Sequence, residues 1–170
     1  MRDILKKTKE KKGFTLIEML ITTSIILIVT GGSIAGFITF NDRQKVQIVA
    51  KELQTMFRSA QIKAKTGEGA SGDGGASGCS SGTNLSGYKV KNSTNSIIMQ
   101  RVCVNSSGTE TFYIRESYDL PNGVIITAFD VKFLSLFGGT DIAGPNAITI
   151  QGLTMNSVLR ITDSGELTIF

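Results

Sequence analysis

The chain has 170 residues, 41% of them apolar and 19% charged, with a formal net charge of +4, a pI near 9.1 and a mean hydropathy of +0.10. That length allows one modest domain, and that hydropathy is too high for a disordered chain. The absence of His, with only two Cys, removes the usual ligands of a zinc or copper site and the usual base of a hydrolytic triad, so neither a cofactor nor an enzymatic activity is expected.

The charge excess sits at the start of the chain. Residues 1–13 hold Arg2, Lys6, Lys7, Lys9, Lys11 and Lys12 against Asp3 and Glu10, and everything from Phe14 onward sums to zero. A basic nucleic-acid-binding fold is disfavoured on that ground. Residues 14–40 then carry a single charge, Glu18. As a helix this run measures roughly 40 Å against a hydrocarbon core of about 30 Å, so it can span a bilayer. The basic residues before it predict a cytoplasmic N-terminus and an extracytoplasmic remainder. A plain membrane anchor fits length and flanks equally well. A secretory signal is a second alternative, because Ser33-Ile34-Ala35 has the small-x-small form cut by signal peptidase. Glu18 speaks against it: a carboxylate five residues into the run costs roughly 2.5 kcal/mol or more in lipid and implies a partner.

Over residues 41–65 the pattern changes. Val46, Val49, Leu53, Met56, Phe57, Ala60 and Ala64 recur at steps of three and four, which predicts an amphipathic helix. No Pro interrupts residues 14–65, so both parts can form one rod of roughly 78 Å. Lys63 and Lys65 suit its C-terminal dipole, and Gly67 follows as a stop. Gly31, Gly32 and Gly36 each weaken the rod by up to ~1 kcal/mol relative to Ala, making residues 31–36 the expected place for it to loosen.

Residues 66–170 form the expected β-rich globular part. It opens with the Gly/Ser-rich stretch 67–87, which holds eight Gly and five Ser and predicts a long, pliable surface loop without strand or helix. Strands are predicted at 88–91, 96–104, 109–115, 124–129, 131–137, 147–151, 158–162 and 167–170. Turn signals separate them at Ser107-Gly108, Pro121-Asn122-Gly123, Gly138-Gly139 and Asp163-Ser164-Gly165. Together they read as an antiparallel sheet that buries the apolar helix face and ends in a hairpin.

The strongest local feature is Lys11-Lys12-Gly13-Phe14-Thr15-Leu16-Ile17-Glu18-Met19-Leu20: a basic leader, a Gly, and an apolar helix with Glu as its fifth residue. Over residues 1 to about 65 the chain resembles type IV prepilins and type II secretion pseudopilins. The resemblance implies a pilin-like α+β fold, one long N-terminal helix packed on a C-terminal antiparallel sheet. It implies cleavage after Gly13 by a membrane prepilin peptidase, N-methylation of Phe14, and an assembly role for Glu18. The implied partners are other pilin or pseudopilin subunits, the peptidase, the membrane and the assembly-platform machinery, with the chain held in the cytoplasmic membrane. The amphipathic Leu53…Met56-Phe57-Arg58-Ser59-Ala60 and the ending Ile161-Thr162-Asp163-Ser164-Gly165-Glu166-Leu167 look like the H-type minor pseudopilins and FimT-like fimbrial proteins.

Weaker signals complete the reading. Cys79 and Cys103 are expected to lie outside the membrane, where a bridge persists and contributes roughly 3 kcal/mol; two free thiols are the alternative. Ser86-Gly87-Tyr88-Lys89 matches a Ser-x-x-Lys pattern without its companion motifs, and chance explains it. Asn84-Leu85-Ser86, Asn92-Ser93-Thr94 and Asn105-Ser106-Ser107 are glycosylation triplets that predict surface exposure only. Gly138-Gly139-Thr140-Asp141 offers one carboxylate where calcium takes several oxygen ligands. A DNA-uptake or adhesion pilin is the alternative function. Residues 66–170 carry six cations against nine carboxylates, so DNA is disfavoured as a partner.

Overall fold

The computed structural model describes residues 13–71, 78–135, 139–162 and 167–169. The helix α1 (Leu16–Thr66) is followed by nine strands: β1 (Thr83–Ser93), β2 (Ser96–Asn105), β3 (Glu110–Asp119), β4 (Ile125–Ile126), β5 (Asp130–Leu134), β6 (Thr140–Ala143), β7 (Ala147–Gln151), β8 (Asn156–Ile161) and β9 (Leu167–Ile169). The fold is pilin-like α+β. Two compact units divide the chain, the second being Phe40–Phe170.

The first unit contains the helix from Leu16 to Thr39, and its described side chains are exposed all round. Its hydroxyls are satisfied within the helix. Thr22 Oγ1 donates to the Glu18 carbonyl at 2.9 Å, Thr23 Oγ1 to Met19 at 2.9 Å, Ser24 Oγ to Ile21 at 2.8 Å and Ser33 Oγ to Val29 at 2.8 Å. Thr30 Oγ1 likewise donates to the Ile26 carbonyl. Polar groups closed on their own backbone in this way are tolerated in an apolar solvent. The helix runs unbroken through Gly31, Gly32 and Gly36, so the expected loosening at 31–36 is not seen.

In the second unit, Val46, Val49, Ala50, Leu53, Met56, Phe57, Ala60 and Ala64 form the buried stripe of α1. They meet two antiparallel sheets, ordered β3-β2-β1-β5-β6 and β4-β7-β8-β9, where a single sheet was expected. Tyr88, Val90, Ile97, Met99, Val131 and Phe133 come from the first sheet and Ile148, Ile150, Leu159 and Ile161 from the second. Phe57 is the centre of this core, with ring centroids 5.7 Å from Phe129 and 5.9 Å from Phe133. Gly67, at φ +67°, ends the helix: its N–H reaches the Ala64 carbonyl at 3.4 Å, and the Glu68 N–H reaches Lys63 at 3.1 Å. This doubly bonded glycine stop satisfies the last carbonyls of α1.

The Gly/Ser-rich stretch departs from its expected character. Thr83–Gly87 belong to β1 and pair with β2, because ladder bonds to Asn105, Val104 and Cys103 supply what local composition does not. Gly78 and Cys79 are buried. The Cys79 N–H donates to the Gly69 carbonyl at 2.9 Å, the Arg101 guanidinium donates to the Gly78 carbonyl at 2.6 Å, and Cys79 is bonded to Cys103. The stretch therefore packs on the sheet at both ends. Residues 72–77 of the predicted loop lie outside the described residues, as do residues 1–12 of the leader, Gly138 and the Asp163–Gly165 turn.

Other strand expectations are corrected too. The run 124–129 keeps only Ile125–Ile126 as strand, and the strand predicted at 131–137 is seen as Asp130–Leu134, with residues 136 and 137 outside the described ones. Thr140–Ala143 pairs with β5 although its composition carries no strand signal. The closing hairpin is present, with Leu159 opposite Ile169 and Ile161 opposite Leu167.

Candidate processing and assembly site

Gly13, Phe14 and Thr15 precede the helix without regular structure. Among the described residues, a Cβ built on Gly13 would meet nothing within 4 Å. Thr15 is the N-cap of α1: its Oγ1 accepts the Glu18 N–H at 3.3 Å and satisfies one of the orphan donors of the first turn. Thr15-Leu16-Ile17-Glu18 has the Ser/Thr-x-x-Glu spacing of a capping box. That spacing was available in the sequence and identifies Thr15, which the leader and hydropathy patterns pass over. Glu18 thus stands in the first turn, where the helix dipole favours an anion.

The surroundings of Glu18 are apolar and open. Phe14 is 74% exposed and Leu16 84%, and the described apolar side chains that follow stay uncovered as far as Phe40. Lys63–Glu68, Lys89–Asp130 and Lys132–Glu110 form ion pairs among the described residues, and Glu18 belongs to none of these three. Helix α1 is the one described helix long and apolar enough to cross a membrane.

Cys79 and Cys103 lie in the second unit, joined with their Cα atoms 5.7 Å apart. Among the described residues no three His, Cys, Asp or Glu side chains converge as metal ligands. An open groove of about 330 Å³ between α1 and the second sheet is lined by Gln47, Ala50, Lys51, Met155, Asn156, Ser157 and Ile169.

A further constellation escaped the sequence reading. Asp42 is 5% exposed, and its carboxylate accepts from Leu153 N at 3.0 Å, Thr154 N at 2.6 Å and Thr154 Oγ1 at 2.7 Å. The Thr154 hydroxyl, then the Leu153 and Thr154 amides, hold its carboxyl below the usual carboxylate range, and burial opposes them only in part. The signal was present: Asp42, Val46, Val49 and Leu53 fall on one helical face, which places a carboxylate on the buried stripe.

Comparison with protein families matches residues 8–34 to the prokaryotic N-terminal methylation motif. Neither the comparison with curated proteins nor that with solved structures gives a match. The matched segment contains Gly13, Phe14, Thr15 and Glu18 in the geometry described above, at the head of an exposed apolar helix whose continuation packs on antiparallel sheets. The chain thus carries, over residues 8–34, a segment similar to the prokaryotic N-terminal methylation motif.

Proposed function

We propose that the chain is a structural subunit of a type IV pilus or type II secretion pseudopilus, of the minor class, cut after Gly13 and N-methylated on Phe14 by a prepilin peptidase. The observation that carries this reading is the uncovered apolar surface from Phe14 to Phe40, with one carboxylate at its first turn. Such a surface is not stable in water. It calls first for a bilayer and, in a filament, for the equivalent helices of other subunits.

Cleavage supplies what Glu18 lacks. It removes the six leader cations and creates an α-amine at Phe14. In an apolar environment the Glu18 carboxylate of one subunit and the Phe14 amine of a neighbour offset each other's desolvation and set the register of helix packing. The uncut leader holds its cations on the cytoplasmic side, with the second unit on the other side of the membrane, and so opposes extraction from the bilayer. Processing is then the step that licenses assembly, through the platform that draws subunits into the filament. The H-type pattern of the amphipathic segment and closing hairpin supports the minor class.

Mass spectrometry of the mature chain tests the reading: a methylated Phe14 at the N-terminus is expected, and a start at Gly36 would refute it. Glu18→Ala should leave the thermal unfolding of the second unit unchanged while abolishing co-purification with filaments. Normal incorporation of that variant would remove the assembly role of the carboxylate.

A further inference from the structure

Three segments of the second unit meet where the apolar run ends. Asp42 accepts the amides of Leu153 and Thr154, Lys45 Nζ donates to the Asn122 carbonyl at 3.2 Å, and a Cβ on Gly123 would stand 3.8 Å from Leu153 Cγ. These contacts hold two turns beside helix positions 40–45. One is closed by Val124 N–H on the Pro121 carbonyl at 3.1 Å, the other by Gly152 N–H on Met155 at 2.8 Å.

Turn tips are ordinarily polar, yet the second turn presents Leu153 outward, and the first leads directly into β4 with Ile125 exposed. Leu153 is 76% exposed, Ile125 67%, and Phe40 on the adjoining helix 59%. Arg43 is exposed and Lys45 half-buried at the same level. The single acidic residue of positions 40–45 and of the two turns is Asp42, and its carboxylate is turned inward onto its donors. The patch is therefore apolar with an outward positive balance.

Its place along the chain identifies its occupant. Phe40 closes the apolar run, so a helix that spans the bilayer up to that residue puts the headgroup layer at positions 40–45. We infer that this end of the second unit is a lipid-contact surface: Leu153 and Ile125 enter the headgroup–acyl boundary beside Phe40, while Arg43 and Lys45 meet lipid phosphates. The contact orients the β-rich unit on the membrane before assembly. This inference rests on the membrane-spanning reading of the helix.

The chain has no Trp, so one introduced indole reports alone. Full-length Leu153→Trp, Ile125→Trp, Ile25→Trp and Phe112→Trp are reconstituted in phosphatidylcholine vesicles with and without phosphatidylglycerol, the acyl chains brominated at shallow positions. Phe112 is nine residues back from Pro121, roughly 30 Å along β3, and serves as the distal reference. Indole fluorescence of Leu153→Trp and Ile125→Trp should fall by roughly half, and by less without phosphatidylglycerol, while Phe112→Trp is unchanged. Quenching of Ile25→Trp alone would overturn the inference and leave the spanning helix standing. No quenching of Ile25→Trp would overturn both. A blue-shifted Leu153→Trp that brominated lipid does not quench would assign the patch to a second copy of the chain. Quenching at Leu153 that ignores phosphatidylglycerol would overturn the role of Arg43 and Lys45.

Discussion

At Asp42 one carboxylate inside a helix reaches 111 and 112 residues along the chain to fix a turn. Its partners are all donors, two amides and a hydroxyl, so the arrangement suits the charged form and no other. Asn in its place would turn an amide donor toward amide donors and leave at least one of them unmatched in a buried setting. The pH dependence follows from the direction of the shift. The folded value lies below the unfolded one, near 3.9, so the stabilisation is fully present above that pH and is lost as pH falls through the folded value. Asp42→Asn should therefore lower the melting temperature of the full chain in micelles at neutral pH, and the gap to the parent should close below about pH 4. A gap that stays constant into acid would show that shape, not charge, holds the turn. Gly152 belongs to the same constellation: a Cβ there would stand 2.7 Å from Val46 Cγ2 and 2.8 Å from Asp42 Oδ1. The helix carboxylate and the turn glycine are thus one feature read from two ends.

The elements differ in how much of their form is local. The apolar periodicity of residues 46–64 predicts every buried position of that face except Ala50, because a helix makes its hydrogen bonds within itself and leaves only burial to be decided by neighbours. Strands have no such independence. Thr83–Gly87 reads as loop by composition and is strand by pairing, and Thr140–Ala143 exists as β6 because β5 offers it a ladder. Gly87 shows how tight that pairing is. It stands opposite Leu134 at a register shift between β1 and β2, where a Cβ would meet the Phe133 carbonyl oxygen at 2.0 Å. Both Gly87→Ala and Gly152→Ala overpack, but the first presses on ladder backbone and the second mainly on side chains that can shift. Gly87→Ala should cost at or above ~3 kcal/mol in denaturant unfolding and Gly152→Ala about 1–2 kcal/mol. The reverse order would mean that the β1–β5 ladder opens more easily than the Asp42 turn. The candidate site was legible for the opposite reason: Gly13, Phe14, Thr15 and Glu18 lie within six consecutive residues, and their arrangement needs no distant partner.

Across the whole molecule the charge has moved from where the pI places it. With residues 1–13 removed the side chains sum to zero, +3 on residues 14–65 and −3 on residues 66–170. The structure reduces the remaining cations further. Lys89 is paired with Asp130 at 3.0 Å and also lies over the Phe112 ring, Lys132 is paired with Glu110, and Arg101 is 1% exposed beneath the Gly/Ser-rich stretch. Lys89, Lys132 and Arg101 are thus committed to internal partners or buried. A surface that holds DNA through phosphates needs several such charges free and clustered, since each phosphate contact contributes to affinity and to its salt dependence. Among the cations outside those ion pairs, Arg43 and Lys45 lie beside exposed apolar side chains suited to lipid. The processed full-length chain in micelles should therefore give no gel shift with duplex DNA at physiological salt, and only weak, steeply salt-dependent retardation at low salt. Tight binding at physiological salt would transfer the protein to the DNA-uptake class. Charge-reversal of Lys91, which makes none of the three ion pairs described, separates the cases: it should leave the absence of a shift unchanged, whereas in a DNA-binding pilin it would weaken retention.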